Sequence, residues 1–232
     1  MKRQFCAVAL AAVFVAAAAR AQESPDTDAA KHGIAEATAV FSAIAGSSER
    51  TIPRAVLEKA EAIAVFPYTA PRPGRRGQGP NTRRLAAALG IRARGVLSVR
   101  GEKGGWSAPA FVTLVGGTAP AADIVLVAVS RQGVDDLLST RFPLASPRVQ
   151  TATLGAPAVS ADIGAESALL VYTRPRGSAP APTLAASAVQ PDQDLTHHFY
   201  GKTLTSAQAV AVTEPASPAA AWRAALEKHA RP

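Results

Sequence analysis

Apolar positions along this chain follow two rhythms. Between residues 25 and 45 they recur every three or four places. Ile34, Ala37, Phe41 and Ile44 fall on one narrow stripe of a helix, and Ser24, Pro25, Asp26 and Asp28 supply helix-start chemistry, acceptor side chains beside a proline suited to a first turn. The pattern predicts a helix to about residue 45, ended by Gly46-Ser47-Ser48. Packing on a sheet is the favoured role for that stripe. A membrane-lying helix is the alternative, and the scarcity of Lys and Arg on the polar side argues against it. Pro53 opens a second, short helix with Val56, Leu57 and Ala60 turned inward.

The second rhythm is that of strands. Residues 62–66 (AIAVF) read as a short buried strand stopped by Pro67, and 95–100 (GVLSVR) as a strand leading through a Gly-rich turn into 104–114 (GGWSAPAFVTL). In that last stretch strict alternation puts Trp106, Ala108, Ala110, Val112 and Leu114 on one face and Ser107, Pro109, Phe111 and Thr113 on the other. Both faces are largely apolar, so a central strand is expected, bulged or at an edge where Pro109 cannot donate to a ladder. The glycine pairs 104–105 and 116–117 predict turns on either side. Further strands are expected at 123–130, 149–154, 156–161 and 168–172, the middle two as a hairpin, with a short helix over 134–139. Asp135, Asp136, Asp192 and Asp194 are expected at helix starts. Residues 191–194 begin a helix carrying His197, His198, Phe199 and Tyr200, closed by Gly201. The sum is an α+β chain: a mainly antiparallel β-sheet, barrel- or sandwich-like, with N-terminal helices and short helices near the C-terminal end.

Length and composition narrow this. At 232 residues the chain holds one ordinary domain with a sizeable core. Residues 1–21 have the charged start, apolar run and small-residue end of a secretory signal peptide, with cleavage expected after Ala21; an uncleaved anchor is the alternative. The expected organisation is a signal peptide over 1–21, a folded domain over 22–212 and a loosely attached tail over 213–232 that contains a short Trp222 helix. The location implied is periplasmic or secreted. Cys6 is the chain's single cysteine and lies within the signal, so disulfides, thiol nucleophiles and thiolate metal sites are excluded from the mature part. Loss of Lys2, Arg3 and Arg20 lowers the formal charge from +8 to +5, still basic enough to favour an anionic surface. For an exported chain that surface is lipid or an acidic polymer before nucleic acid.

The charge is unevenly placed. Residues 62–101 contain eight arginines and no acidic residue. Arg72, Arg75, Arg76, Arg83 and Arg84 stand among prolines and glycines that make a loop of 71–80. Guanidinium forks bind phosphate in two-bond geometry, so these five are the candidate headgroup-binding residues; a solvated loop in an arginine-rich composition is the plainer reading. The sequence has no Gly-x-Ser-x-Gly elbow and no phosphate-binding glycine loop ending in Lys-Ser/Thr. His197 and His198 are adjacent, about 100° apart on a helix, and cannot chelate one metal. The expectation is therefore no enzyme, no metal and no cofactor, with a hydrolase as the least favoured class.

One set of motifs is distinctive. Ile52-Pro53, the 57–60 stretch LEKA, 63–67 (IAVFP), 95–97 (GVL), 105–111 (GWSAPAF), 123–127 (DIVLV), Gly133-Val134, Tyr172-Thr173-Arg174 and 199–202 (FYGK) occur in the order of the SYLF domain, also called the yeast actin-binding domain. The chain resembles that family over about residues 34–210, with Trp106, Ser107, Pro109, Phe111, Tyr200, Gly201 and Lys202 as the core of the match. The resemblance implies a non-catalytic lipid-binding module: eukaryotic relatives bind phosphoinositides, some bind and bundle actin filaments, and they act at membranes. For an exported bacterial member the transferable part is binding of anionic phospholipid or a membrane surface. A structural or protein-interaction module of the envelope, with a protein partner and no lipid affinity, is the second expectation. Three neighbouring segments depart from the family pattern, at 71–94, 118–122 and 178–184, and imply a remodelled or opened side.

Overall fold

A computed structural model describes residues 25–48, 51–68, 91–102, 104–118, 121–155, 167–178, 182–213 and 219–231. The first helix, α1 (Pro25–Ala45), turns the expected stripe inward, with Ile34, Ala37, Phe41 and Ile44 at most 1% exposed. The short α2 (Arg54–Glu58), capped by Pro53, delivers the chain into β1 (Ala62–Phe66). Every residue of β1 is buried, as an apolar run without alternation requires when both faces of a strand are covered. The other strands are β2 (Ile91–Val99), β3 (Ala110–Thr118), β4 (Ala122–Ala128), β5 (Phe142–Pro143), β6 (Val149–Thr153), β7 (Leu169–Pro175) and β8 (Thr183–Pro191). They form one sheet in the order β5-β8-β3-β2-β1-β4-β7-β6, antiparallel throughout except for the β6–β7 pair. The fold is α+β.

The remaining helices are α3 (Arg131–Leu138), α4 (Gln193–Tyr200), α5 (Ser206–Val210) and α6 (Ala219–His229). Helix α3 touches both β4 and β8, which stand four places apart in the sheet. Laid flat, they would be about 19 Å apart at about 4.8 Å per strand, too wide for one helix of about 10 Å diameter to lie against both. The sheet is therefore curled into a half-barrel around α3. The concave face buries Phe66, Leu97, Val112, Leu114, Leu126 and Val171 with Val134 and Leu137 of α3. On the convex face Ile63, Val65, Val96, Phe111, Val125 and Tyr172 are packed under α1 and α6.

Several expectations need correction. Helix α6, within the segment expected as a loose tail, is packed in the core: Trp222 is fully buried, its ring edge-on to Phe41 at 5.8 Å and its Nε1–H donating to Ser98 Oγ at 2.9 Å. Strict alternation also fails across 106–114. Residues 107–109 are irregular, so Trp106 joins Phe111 on the convex side while Ala110, Val112 and Leu114 face the concave side. Pro109 sits just before β3, where its missing N–H costs no ladder bond. Gly116 and Gly117, expected as a turn, lie inside β3 with φ of +85° and +72°, at the point where its register with β8 shifts. A Cβ on Gly116 would come 2.3 Å from the Ala186 carbonyl oxygen, so this bulge admits only glycine.

Three further differences concern element limits. β2 begins at Ile91, before the strand expected at 95–100 and inside the departing segment 71–94, and β8 takes in Thr183 and Leu184 of the departing segment 178–184. Helix α3 starts at Arg131 with Ser130 as its cap, which leaves Asp135 and Asp136 in mid-helix; Asp136 there binds Arg148 at 3.0 Å. β6 pairs in parallel with β7, while the expected hairpin partner at 156–161, like the signal segment 1–21, lies outside the described residues.

Candidate functional site

The antiparallel registers align one row of side chains across the convex face at the end of the sheet where β1 finishes. Gln190 of β8 stands opposite Thr113 of β3, and Thr113 opposite Arg94 of β2. Continuing the β1 register by one residue puts Pro67 opposite both Arg94 and Asp123, and Asp123 of β4 is paired with Arg174 of β7. A hydrophobic strand would seldom carry a carboxylate at such a place unless it were matched.

Asp123 is matched several times over. Its side chain is fully buried and accepts from Arg174 Nη2 at 2.8 Å, from Arg176 Nη2 at 2.7 Å and from the backbone N–H of Tyr68 at 2.9 Å. The guanidinium of Arg176 also lies 5.7 Å above the Tyr68 ring. Burial by itself pushes the Asp123 carboxyl up, but Arg176, the Tyr68 amide and Arg174 more than offset it, and the net displacement is below the usual carboxylate range. The same contact raises Arg176, whose charge is further favoured by Glu36 of α1. Arg176 reaches the surface at 47% exposed, between Asp123 and the field of Glu36.

A second carboxylate sits along the same row. Asp192 caps α4 by accepting from the Leu195 N–H at 3.0 Å, and it also takes Thr113 Oγ1 and Arg94 Nε, each at 3.1 Å. Arg92, one step further out on β2, makes no ion pair among the described residues and borders a shallow depression of about 210 Å³ with Gln190 and Asp194. This end of the sheet is thus a rim of arginines anchored on two buried carboxylates.

The five arginines named from the sequence, Arg72, Arg75, Arg76, Arg83 and Arg84, lie outside the described residues. The chain enters their segment at Tyr68 and leaves it at Ile91, and both points belong to this rim. Arg174, Arg176, Arg94 and Asp123 were missed as a group. The signal available was the i, i+2 spacing of Arg174 and Arg176 on one strand face, opposite an acid at the start of another.

The motif residues come together elsewhere, as a joint. The Tyr200 hydroxyl donates to the Pro109 carbonyl, and Phe199 meets Phe111 edge-on at 5.2 Å. Gly201 ends α4 in the left-handed region at φ +68°, its N–H on the His197 carbonyl, the conformation glycine adopts most readily. Ser107 Oγ accepts from the Val99 N–H at 3.0 Å and donates to the Ala108 carbonyl at 2.8 Å, so its hydroxyl is committed to the backbone. Lys202 is exposed. Arg100 stacks 4.8 Å above Trp106 and donates to the carbonyls of Ala60, Leu57 and Ala230, pinning the ends of two helices to β2.

Among the described residues no group of three His, Cys, Asp or Glu side chains could hold a metal ion, and no helix is long and apolar enough to cross a membrane. Comparison with protein-family models, with curated proteins and with solved structures found no match.

Proposed function

We propose that this chain is a SYLF-like, non-catalytic module of the cell envelope that binds anionic phospholipid through the arginine-rich segment 71–84 and the rim from which that segment springs. The observation that supports the reading is the tethering of the segment. Its first anchor, Tyr68, is held by Asp123 and overlaid by Arg176, and its second continues directly into Arg92 and Arg94. The rim's own guanidiniums are largely matched by Asp123, Asp192, Asp194 and Glu36, so the acid-free, arginine-dense stretch that starts there supplies the positive potential, and lipid phosphates are matched by guanidinium forks.

Co-sedimentation of the protein from residue 22 onward with vesicles tests the proposal. Binding to vesicles containing phosphatidylglycerol, weak binding to pure phosphatidylcholine, and loss of the difference when Arg72, Arg75, Arg76, Arg83 and Arg84 are changed to glutamine are the expected results. Each neutralised lysine or arginine near an anionic surface should cost about 1 kcal/mol. Equal binding to both vesicle types, or no effect of the five substitutions, overturns it. A stoichiometric protein partner together with no vesicle binding would favour the interaction module instead.

A further inference from the structure

At the opposite end of β1 from the arginine rim, the C-terminal ends of α1 and α6 meet α2 around a cavity of about 400 Å³, within the size range of small-molecule sites. Ile52 and Leu57, both buried, form its apolar floor. Arg54, Lys228 and Arg231 stand around it with His229, and Thr51 adds a hydroxyl. Among the described residues one carboxylate lines the cavity, Glu58, and Arg54 Nε already holds it at 2.8 Å.

The other two cations are less committed. Among the described residues Lys228 makes no ion pair and Arg231 uses only Nε, on the Glu227 carbonyl at 2.9 Å. The carbonyl end of α6 would by itself repel an anion. Here it is partly covered: Arg231 takes the Glu227 carbonyl and, just past the helix, Arg100 Nη2 takes that of Ala230 at 2.8 Å. His229 is packed edge-on against Phe41 at 6.2 Å. Burial first, and Lys228 second, hold its pKa below the ordinary value, so at neutral pH the ring offers a polar nitrogen rather than another charge. A concavity with an apolar floor focuses the field of cations on its wall, and no group of the described chain neutralises Lys228 or the outer nitrogens of Arg231.

From this geometry we infer that the cavity between α1, α2 and α6 binds a phosphomonoester or diphosphate group, carried by a small soluble molecule or by a lipid headgroup. Lys228 and Arg231 supply the charge-assisted bonds, and Ile52 and Leu57 a surface for the attached organic part. The site is separate from the arginine rim and does not depend on it.

Pyrophosphate is the probe, titrated into the protein from residue 22 onward by calorimetry, with the His229 ring resonances followed by NMR. One saturable site is expected, with displacement of the His229 signals. Lys228→Gln and Arg231→Gln should each weaken binding about tenfold, the scale of one lost charge-assisted bond, and Lys228→Glu should abolish it. Because Lys228 is exposed and does not hold the fold together, its two variants remain decisive if Arg231→Gln lowers the melting temperature. The variant with Arg72, Arg75, Arg76, Arg83 and Arg84 changed to glutamine should bind pyrophosphate like the parent. Competition between pyrophosphate and phosphatidate-containing vesicles would assign the group to a lipid; pyrophosphate binding without competition would assign it to a soluble ligand. Absence of saturable binding in the millimolar range, unmoved His229 signals, or unchanged affinity in both Lys228 variants overturns the inference.

Discussion

Replacing Asp123 by asparagine keeps the shape of the side chain and removes its charge, and the consequences follow from its surroundings. The carboxylate is fully buried and faces two guanidiniums and one amide N–H. An asparagine must turn its NH2 group toward at least one of these donors. Breaking a buried ion pair from one side costs about 3–5 kcal/mol. Arg174 and Arg176 are 24% and 47% exposed and recover part of their hydration, which places the expected loss at the lower end, about 3 kcal/mol. With a urea m-value of about 2 kcal/mol/M, the midpoint should fall by about 1.5 M, read by circular dichroism at neutral pH. The pH dependence has a definite sign. A carboxyl whose folded-state pKa is depressed contributes stability that is fully present above its unfolded value and is lost as pH falls through the folded one. The gap between parent and Asp123→Asn should stay constant from about pH 5 to 8 and narrow below about pH 4. A gap under about 0.5 kcal/mol at neutral pH, which is the level of an ordinary surface change, would refute the reasoning, as would a gap that persists in acid.

Two other outcomes can be measured on the same material. Trp222→Ala should destabilise by about 4 kcal/mol through the cavity it leaves, whereas Trp222→Phe loses mainly the bond to Ser98, about 1 kcal/mol; a parent-like melting curve for the alanine variant would mean that α6 is not seated in the core. Burial pushes the Tyr172 phenol up to about 12 and Tyr200 higher still, so neither should ionise below about pH 11 until urea unfolds the chain. Ultraviolet difference absorbance showing both ionised near the ordinary tyrosine value in the folded protein would contradict their placement.

How much of this could be read from the chain depended on whether an element carries its own reason for existing. β1 and β4 were legible because continuous apolar runs demand cover on both faces, and α1 because Ile34, Phe41 and Ile44 keep helical spacing. β8 was not. Ala185 and Ala186 are exposed, its inward residues are few, and its strand state comes from pairing with β3 on residues far earlier in the chain. Helix α6 looked like a tail because alanine and proline dominate its neighbourhood, and what fixes it are partners far away in the chain, above all the Trp222 indole reaching Ser98, 124 residues away, and Arg100 on the Ala230 carbonyl. Trp106 was assigned to the wrong face because periodicity cannot register an irregular step at 107–109. The rim was half legible: the density of arginine was plain, but its order around Asp123 and Asp192 arises from strand register, which no local pattern states.

The bond between Trp222 and Ser98 also bears on the order in which the molecule can assemble. Contacts that span so much chain are slow to form, because their loop-closure entropy must be met before any packing reward arrives. Until residues beyond 219 are available, Phe41 and Ser98 lack the ring that covers them. A chain still emerging from the ribosome would keep that side of the sheet open. Closure of the convex layer is thus a late event, one that waits on the last helix of the chain.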